Sequence, residues 1–191
     1  MALRMRAPRI LDFDIENRPL SYLGSDFTTS EITAIAACWA DEPATVSSVL
    51  LGVREPKDIL TWFAFLYDGA DIVTGHYILM HDLPIINGAL LEYGMRPLGP
   101  KLVSDTKVHL IGGKGVSKSQ ESLSDIVGTS APKVHMTQAK WREANRLTPE
   151  GIAETKARVE GDVIQHMQMR ERLIAGGYLK APVLWAGGVS R

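Results

Sequence analysis

The residues most able to do chemistry in this sequence are acids placed where a core strand should be apolar. In "RILDFDIENRP" (9–19), Ile10, Leu11, Phe13 and Ile15 suit a buried strand, yet Asp12, Asp14 and Glu16 alternate with them. Residues i and i+2 of a strand share a face, so the three carboxylates line one side. Like charges that close repel and raise one another's pKa unless a cation sits between them. Asp82 follows a later apolar segment at the entry to a helix, and Asp162 lies within "KARVEGDVIQHM" near the chain's end. Asp14, Glu16, Asp82 and Asp162 thus bring four hard oxygen ligands from three segments, a set that suits Mg²⁺ or Mn²⁺ rather than zinc. Two such ions about 3.5–4 Å apart can stabilise the attacking and leaving oxygens of an in-line displacement at phosphorus. Asp12 reads as a solvated or hydrogen-bonded neighbour, not a ligand.

The elements that must position these acids follow an α/β order. Residues 9–16 read as a first strand, and 31–40 and 44–53 as two more joined by the turn-like "DEP". A helix starts at Pro56, carries Ile59, Leu60, Phe63 and Leu66 at helical spacing, and stops at Gly69. A short strand (71–77) leads to a helix over 82–94, with Asp82 near its N-cap and Gly94 at its C-cap. Residues 101–106 make the fifth strand, and "ESLSDIVG" a short helix. Thr148 caps a long terminal helix with Pro149 at its first position and Gly176-Gly177 at its end. The expectation is one mixed sheet of five strands flanked by helices, a single α/β domain over 1–191 with its core at 9–176. The tail, 177–191, carries Leu179, Val183, Leu184 and Trp185 and is expected to pack on its own domain or across a dimer.

Composition bounds the function classes. The 191 residues are 45% hydrophobic, enough for one core, and 21 Lys+Arg against 22 Asp+Glu leave no global basic signature. A local basic stripe still suffices for nucleic acid. Lys101, Lys107, Lys114, Lys118, Lys133, Lys140 and Arg142 outnumber Asp105, Glu121 and Asp125 between 101 and 142, and Arg4, Arg6 and Arg9 precede the acidic strand. These read equally as phosphate contacts or as solvated surface charges. One cysteine, Cys38, excludes a disulfide framework and a cysteine-rich zinc site. "MALRMRAPR" has no apolar run behind it, and no stretch approaches the about 18 apolar residues a membrane helix needs. A soluble, cytoplasmic protein is expected, with no membrane partner. "GGKG" (112–115) lacks phosphate-loop spacing and reads as a mobile loop. Asp105 reads as a strand-end cap or a group supporting the site, His76 as structural, and Trp141 as core before base-stacking.

Three stretches resemble a known family, the DEDD 3′–5′ exonucleases, the DnaQ-like and polymerase-proofreading group with a ribonuclease H-like fold. "FDIEN" is similar to its first motif, "TGHYILMHDLPIINGALLEYG" to its second and "ARVEGDVIQHMQM" to its third, in order, covering roughly residues 9 to 175. The DxE pair argues for the exonuclease branch over ribonuclease H proper. The resemblance implies a two-metal enzyme that releases nucleoside monophosphates from single-stranded 3′ ends, DNA ahead of RNA, with Asp14, Glu16, Asp82 and Asp162 as ligands. No polymerase domain accompanies the motifs, so a stand-alone enzyme of proofreading, repair or nucleotide salvage is expected, in a bacterial or phage-infected cell.

The sequence departs from the family pattern near the last acid. A Tyr four residues before it, or a His five before it, usually helps activate water; here those positions hold Arg158 and Ala157. Arginine stays protonated and cannot be a general base. Arg158 and Asp162 are i,i+4 neighbours, so the guanidinium should face the site, gripping a phosphate or pairing with a carboxylate. His166, one turn further, is the nearest titratable substitute. Tyr77 stands where Asn is usual and His81 where Phe is usual. Alternatives are a catalytically weak or inactive nucleic-acid-binding homologue, or a structure-specific endonuclease on the same fold.

Overall fold

The computed structural model describes residues 6–21, 23–24, 27–131 and 133–187. Its elements, in chain order, are β1 (Ile10–Pro19), β2 (Ser30–Trp39), β3 (Ser47–Leu50), α1 (Pro56–Gly69), β4 (Ile72–Gly75), α2 (Asp82–Glu92), β5 (Lys101–Asp105), α3 (Gln120–Val127), α4 (Gln138–Arg146), α5 (Pro149–Ala175) and β6 (Val183–Trp185). They form one sheet in the order β3-β2-β1-β4-β5-β6. β1, β4 and β5 run parallel, while β2, β3 and β6 pair antiparallel with their neighbours. This is the mixed α/β sheet of a ribonuclease H-like fold, with the acidic strand at its centre.

The strand alternation sorts β1 into two faces. Leu11, Phe13 and Ile15 enter the main core with Ile59, Phe63 and Tyr67 of α1 and Leu83, Ile86 and Leu90 of α2. The acids point to the other face, covered by α5. There Ala34, Ala36 and Cys38 of β2 pack against Val159, Val163 and Met167 of α5. The same three small residues are the cross-strand partners of Glu16, Asp14 and Asp12. Directly opposed residues of an antiparallel pair share a face, so small neighbours leave room for α5 beside the acids.

Two features depart from the sequence expectation. The sheet has six strands rather than five, because the tail returns as β6 and pairs antiparallel with β5, Val183 opposite Val103 and Trp185 opposite Lys101. Its Trp185 packs against the main core. α4 is the other addition. It buries only Ala144, so it has no apolar stripe by which a helix is read from sequence. The Thr137 hydroxyl, accepting from Lys140 N–H, caps it. Gly151 of α5 lets the Glu143 backbone approach where any Cβ would collide. Residues 188–191 of the tail and Arg4 lie outside the described residues. Among those described, no helix is long and apolar enough to cross a membrane.

Gly75 ends β4 against β1. A Cβ there would lie 2.7 Å from the Phe13 carbonyl oxygen and collide with Ile78. Phe13 precedes Asp14, so the clash bears on the strand segment that carries the acids. Gly75→Ala is expected to lower stability by about 1–3 kcal/mol, read as a shift of the denaturant midpoint; an unchanged midpoint would show the contact to be slack.

Candidate metal centre

β1 and α5 meet as two rows of side chains matched in pitch. Two strand residues advance about 6.6 Å and four helix residues about 6 Å. Running antiparallel, Arg158, Asp162 and His166 of α5 therefore fall beside Glu16, Asp14 and Asp12 of β1. The Arg158 Nε–H donates to Glu16 Oε1 at 2.5 Å, and Arg158 Nη2 lies 3.2 Å from Asp162 Oδ2. His166 Nδ1 lies 2.7 and 2.9 Å from the two Asp12 oxygens. A register shift between Glu16 and Asn17 ends the run, a common device beside functional sites.

Asp82 reaches the same place from the other flank. β1 pairs with β4 from Ile10 only as far as Asp12, so on that side the strand beyond it needs another partner. Asp82 Oδ1 accepts the Ile15 N–H at 3.2 Å, and its Oδ2 lies 3.3 Å from His81 Nδ1. Asp82 is the first residue of α2, directly after the N-cap His81, and its carboxylate ties the helix entry to β1.

A divalent cation fits what remains. Asp14, Glu16 and Asp162 can each offer one oxygen, and these atoms lie within 4.8 Å of one another. Asp162 Oδ1 is buried and has no hydrogen-bond partner among the described residues, although buried polar atoms are normally paired. Burial pushes Asp14 well above the ordinary carboxylate value, and the charges of Asp82, Glu16 and Asp162 push the same way against Arg158. Burial raises Glu16 and Asp162 too, with Arg158 opposing. Burial raises Asp82, with His81 opposing. Arg158 thus supplies part of the positive charge that the cluster needs.

The acids open onto a cleft of about 410 Å³, within the usual range of ligand sites, roughly 300–1,000 Å³. Asp14, Glu16, Asp82, Asp162 and Arg158 all line it; His166 does not. His166 is wedged between Asp12 and Thr106, buried, which puts the expected titratable substitute out of reach of the cleft. Asp12 is likewise buried and hydrogen-bonded, not solvated. His76 lines the cleft, but its Nε2–H donates to the Lys118 carbonyl and its Nδ1 lies 2.9 Å from the Thr106 hydroxyl, and burial lowers its pKa to about 4. The histidine that sequence reasoning passed over is His81. It lines the cleft, about half exposed, with its pKa raised by its hydrogen bond to Asp82. Its signal was present as the residue standing where Phe is usual before Asp82.

Trp141 lines the cleft rather than joining the core, with the Arg158 guanidinium carbon 5.4 Å from its ring centroid. Of the expected basic contacts, Lys107 and Lys133 line the cleft. Lys101 donates to the Ala70 carbonyl, Lys140 pairs with Glu154, Arg6 pairs with Asp71 and Arg9 stacks on Trp39. Asp105 does more than cap a strand. Its buried carboxylate accepts the N–H groups of Tyr77, Leu79, Lys107 and Val108, pinning two loops at the cleft's edge.

This architecture has a counterpart among solved structures. The family B DNA polymerase from the hyperthermophilic archaeon Pyrobaculum calidifontis matches with a TM-score of 0.69 over 88% of this chain. The likeness is one of fold. Identity is 15%, and the match covers 25% of the polymerase chain. No protein-family model matches the sequence. No curated protein matches it either.

The raised carboxylates fix the sign of a pH effect. As pH rises past the ordinary carboxylate range, the unfolded chain releases these protons before the folded one, so their contribution to stability falls with rising pH. In chelator, Asp14→Asn is expected to be more stable than the wild type near neutral pH, with the gap closing in mild acid. Melting curves across pH check this; a variant less stable at neutral pH would contradict the repulsion.

Proposed function

We propose that this chain is a divalent-metal-dependent 3′–5′ exonuclease that hydrolyses the terminal phosphodiester of a single strand, DNA ahead of RNA, and releases nucleoside monophosphates. The observation that carries the reading is the unpartnered Asp162 Oδ1 beside Asp14 and Glu16 at the wall of an open cleft. The DEDD-like motifs support it, and so does the fold shared with part of a DNA polymerase.

Asp14, Glu16 and Asp162 hold Mg²⁺ or Mn²⁺, with Asp82 completing the set from α2. The ions supply Lewis-acid stabilisation of the oxygens that gain charge as phosphorus is displaced. The chain's own groups bind and orient. Lys107 and Lys133 flank the cleft where a sugar-phosphate backbone needs cations. Arg158 balances Glu16 and Asp162 and stands where the family places a water-activating Tyr. It can take no proton, so turnover is expected to be slow and to climb with pH.

A second reading is favoured by that same residue. Arg158 already compensates two of the acids, as in a nucleic-acid-binding module that has lost cleavage. A 5′-labelled single strand incubated with Mg²⁺ or Mn²⁺ separates the readings. A ladder shortening from the 3′ end, abolished by Asp14→Asn or Asp162→Asn, is the expected result. Arg158→Tyr should raise the rate, by up to the 10²–10⁴-fold typical of a general base, roughly. Retention without cutting would support the binding module, and internal cuts an endonuclease.

A further inference from the structure

The loop between β4 and α2, at the cleft's edge, holds a conformation that a tyrosine adopts only under constraint. Tyr77 has φ 68°, the left-handed region, where a bulky side chain is an outlier. Asp105 keeps it there, accepting the Tyr77 N–H at 3.1 Å and the Leu79 N–H at 3.0 Å. The same carboxylate accepts the Lys107 N–H at 2.9 Å, so one buried anion holds the backbone of Tyr77 and of Lys107 together. Strain of this kind clusters where a side chain must be aimed. The ring is aimed at the cleft. Tyr77 lines it and remains 36% exposed, and Lys107 Nζ sits 3.7 Å from the ring centroid.

Besides the imidazoles of His76 and His81, the rings of Tyr77 and Trp141 line this cleft. Arg158 faces Trp141 and is itself tied to Glu16, Asp162 and the Val134 carbonyl, so that contact is fixed. Lys107 is a flexible ammonium, which a phosphate can share or draw aside. An exposed ring with a lysine at its face matches the two parts of a nucleotide, a base that stacks and a phosphate that needs a cation.

We infer that Tyr77 is the stacking platform for the base of the terminal nucleotide, with Lys107 meeting its phosphate. This rests on the cleft being the single-strand end site proposed above and names which part of the substrate the loop holds. No hydrogen-bonding edge is invoked, so the platform takes any of the four bases, as an end-degrading enzyme requires.

The test is a cycle between protein and ligand. Fluorescence anisotropy, in chelator so that nothing is cut, measures binding of a labelled single strand and of the same strand with an abasic 3′-terminal nucleotide. In the wild type the abasic end should weaken binding by about 5- to 150-fold, the range for stacking one base on an aromatic ring. Tyr77→Asn should lose a similar factor on the intact strand and nothing more on the abasic one. Tyr77→Phe should keep the wild-type preference. Asn tolerates the left-handed backbone, so its melting temperature should not fall and misfolding cannot mimic the result. A wild type that binds and shortens the strand, yet shows no coupling between Tyr77 and the terminal base, overturns the stacking role and leaves the exonuclease reading standing. A wild type that neither binds the strand in chelator nor shortens it with Mg²⁺ or Mn²⁺ overturns both.

Discussion

The structure turns on one electrostatic problem, four carboxylates gathered at the wall of a cleft with too little water to solvate them. Each is raised by burial, and Asp14 most visibly, since Asp82, Glu16 and Asp162 all push it in one direction. Isolated anions are costly in such a place. Arg158 answers part of the cost, bridging Glu16 and Asp162 across the β1–α5 interface. Asp162 Oδ1 is buried with no hydrogen-bond partner among the described residues, and a divalent cation would satisfy it together with Asp14 and Glu16.

Much of the fold serves to bring those groups together. Small residues at Ala34, Ala36 and Cys38 admit α5 beside the acidic face of β1. Matched spacing of strand and helix sets Arg158, Asp162 and His166 against Glu16, Asp14 and Asp12. The lowest rung, His166 with Asp12, is buried and joins Thr106, tying the rows to β5's end without entering the cleft. The upper rungs open to solvent. A single interface thus grades from a structural pair to a site that can take ligands.

The strand alternation made the acidic face of β1 legible in the sequence, and the Thr148-Pro149 cap made the start of α5 legible. What could not be read was anything set by tertiary approach. α4 has a polar sequence and is held by Gly151's close crossing, which no periodicity reports. β6 is three residues long and owes its conformation to β5. His166 shares the helical face of Asp162, so spacing alone placed it at the site. The strand residue opposite it, Asp12, decided that it was buried instead. His81 and Tyr77 stood out only as departures from a pattern, and their loop, bonded to Asp105 from a different strand, gave them their positions.

The balance between Arg158 and a metal is open to direct measurement without any substrate. Mn²⁺ titrated calorimetrically into metal-free protein should bind saturably in the wild type, bind more tightly when Arg158→Gln removes the internal cation, and fail to bind when Asp162→Asn removes the carboxylate's charge and one of its two oxygens. Mn²⁺ binding that is the same in Asp162→Asn as in the wild type would contradict the metal centre.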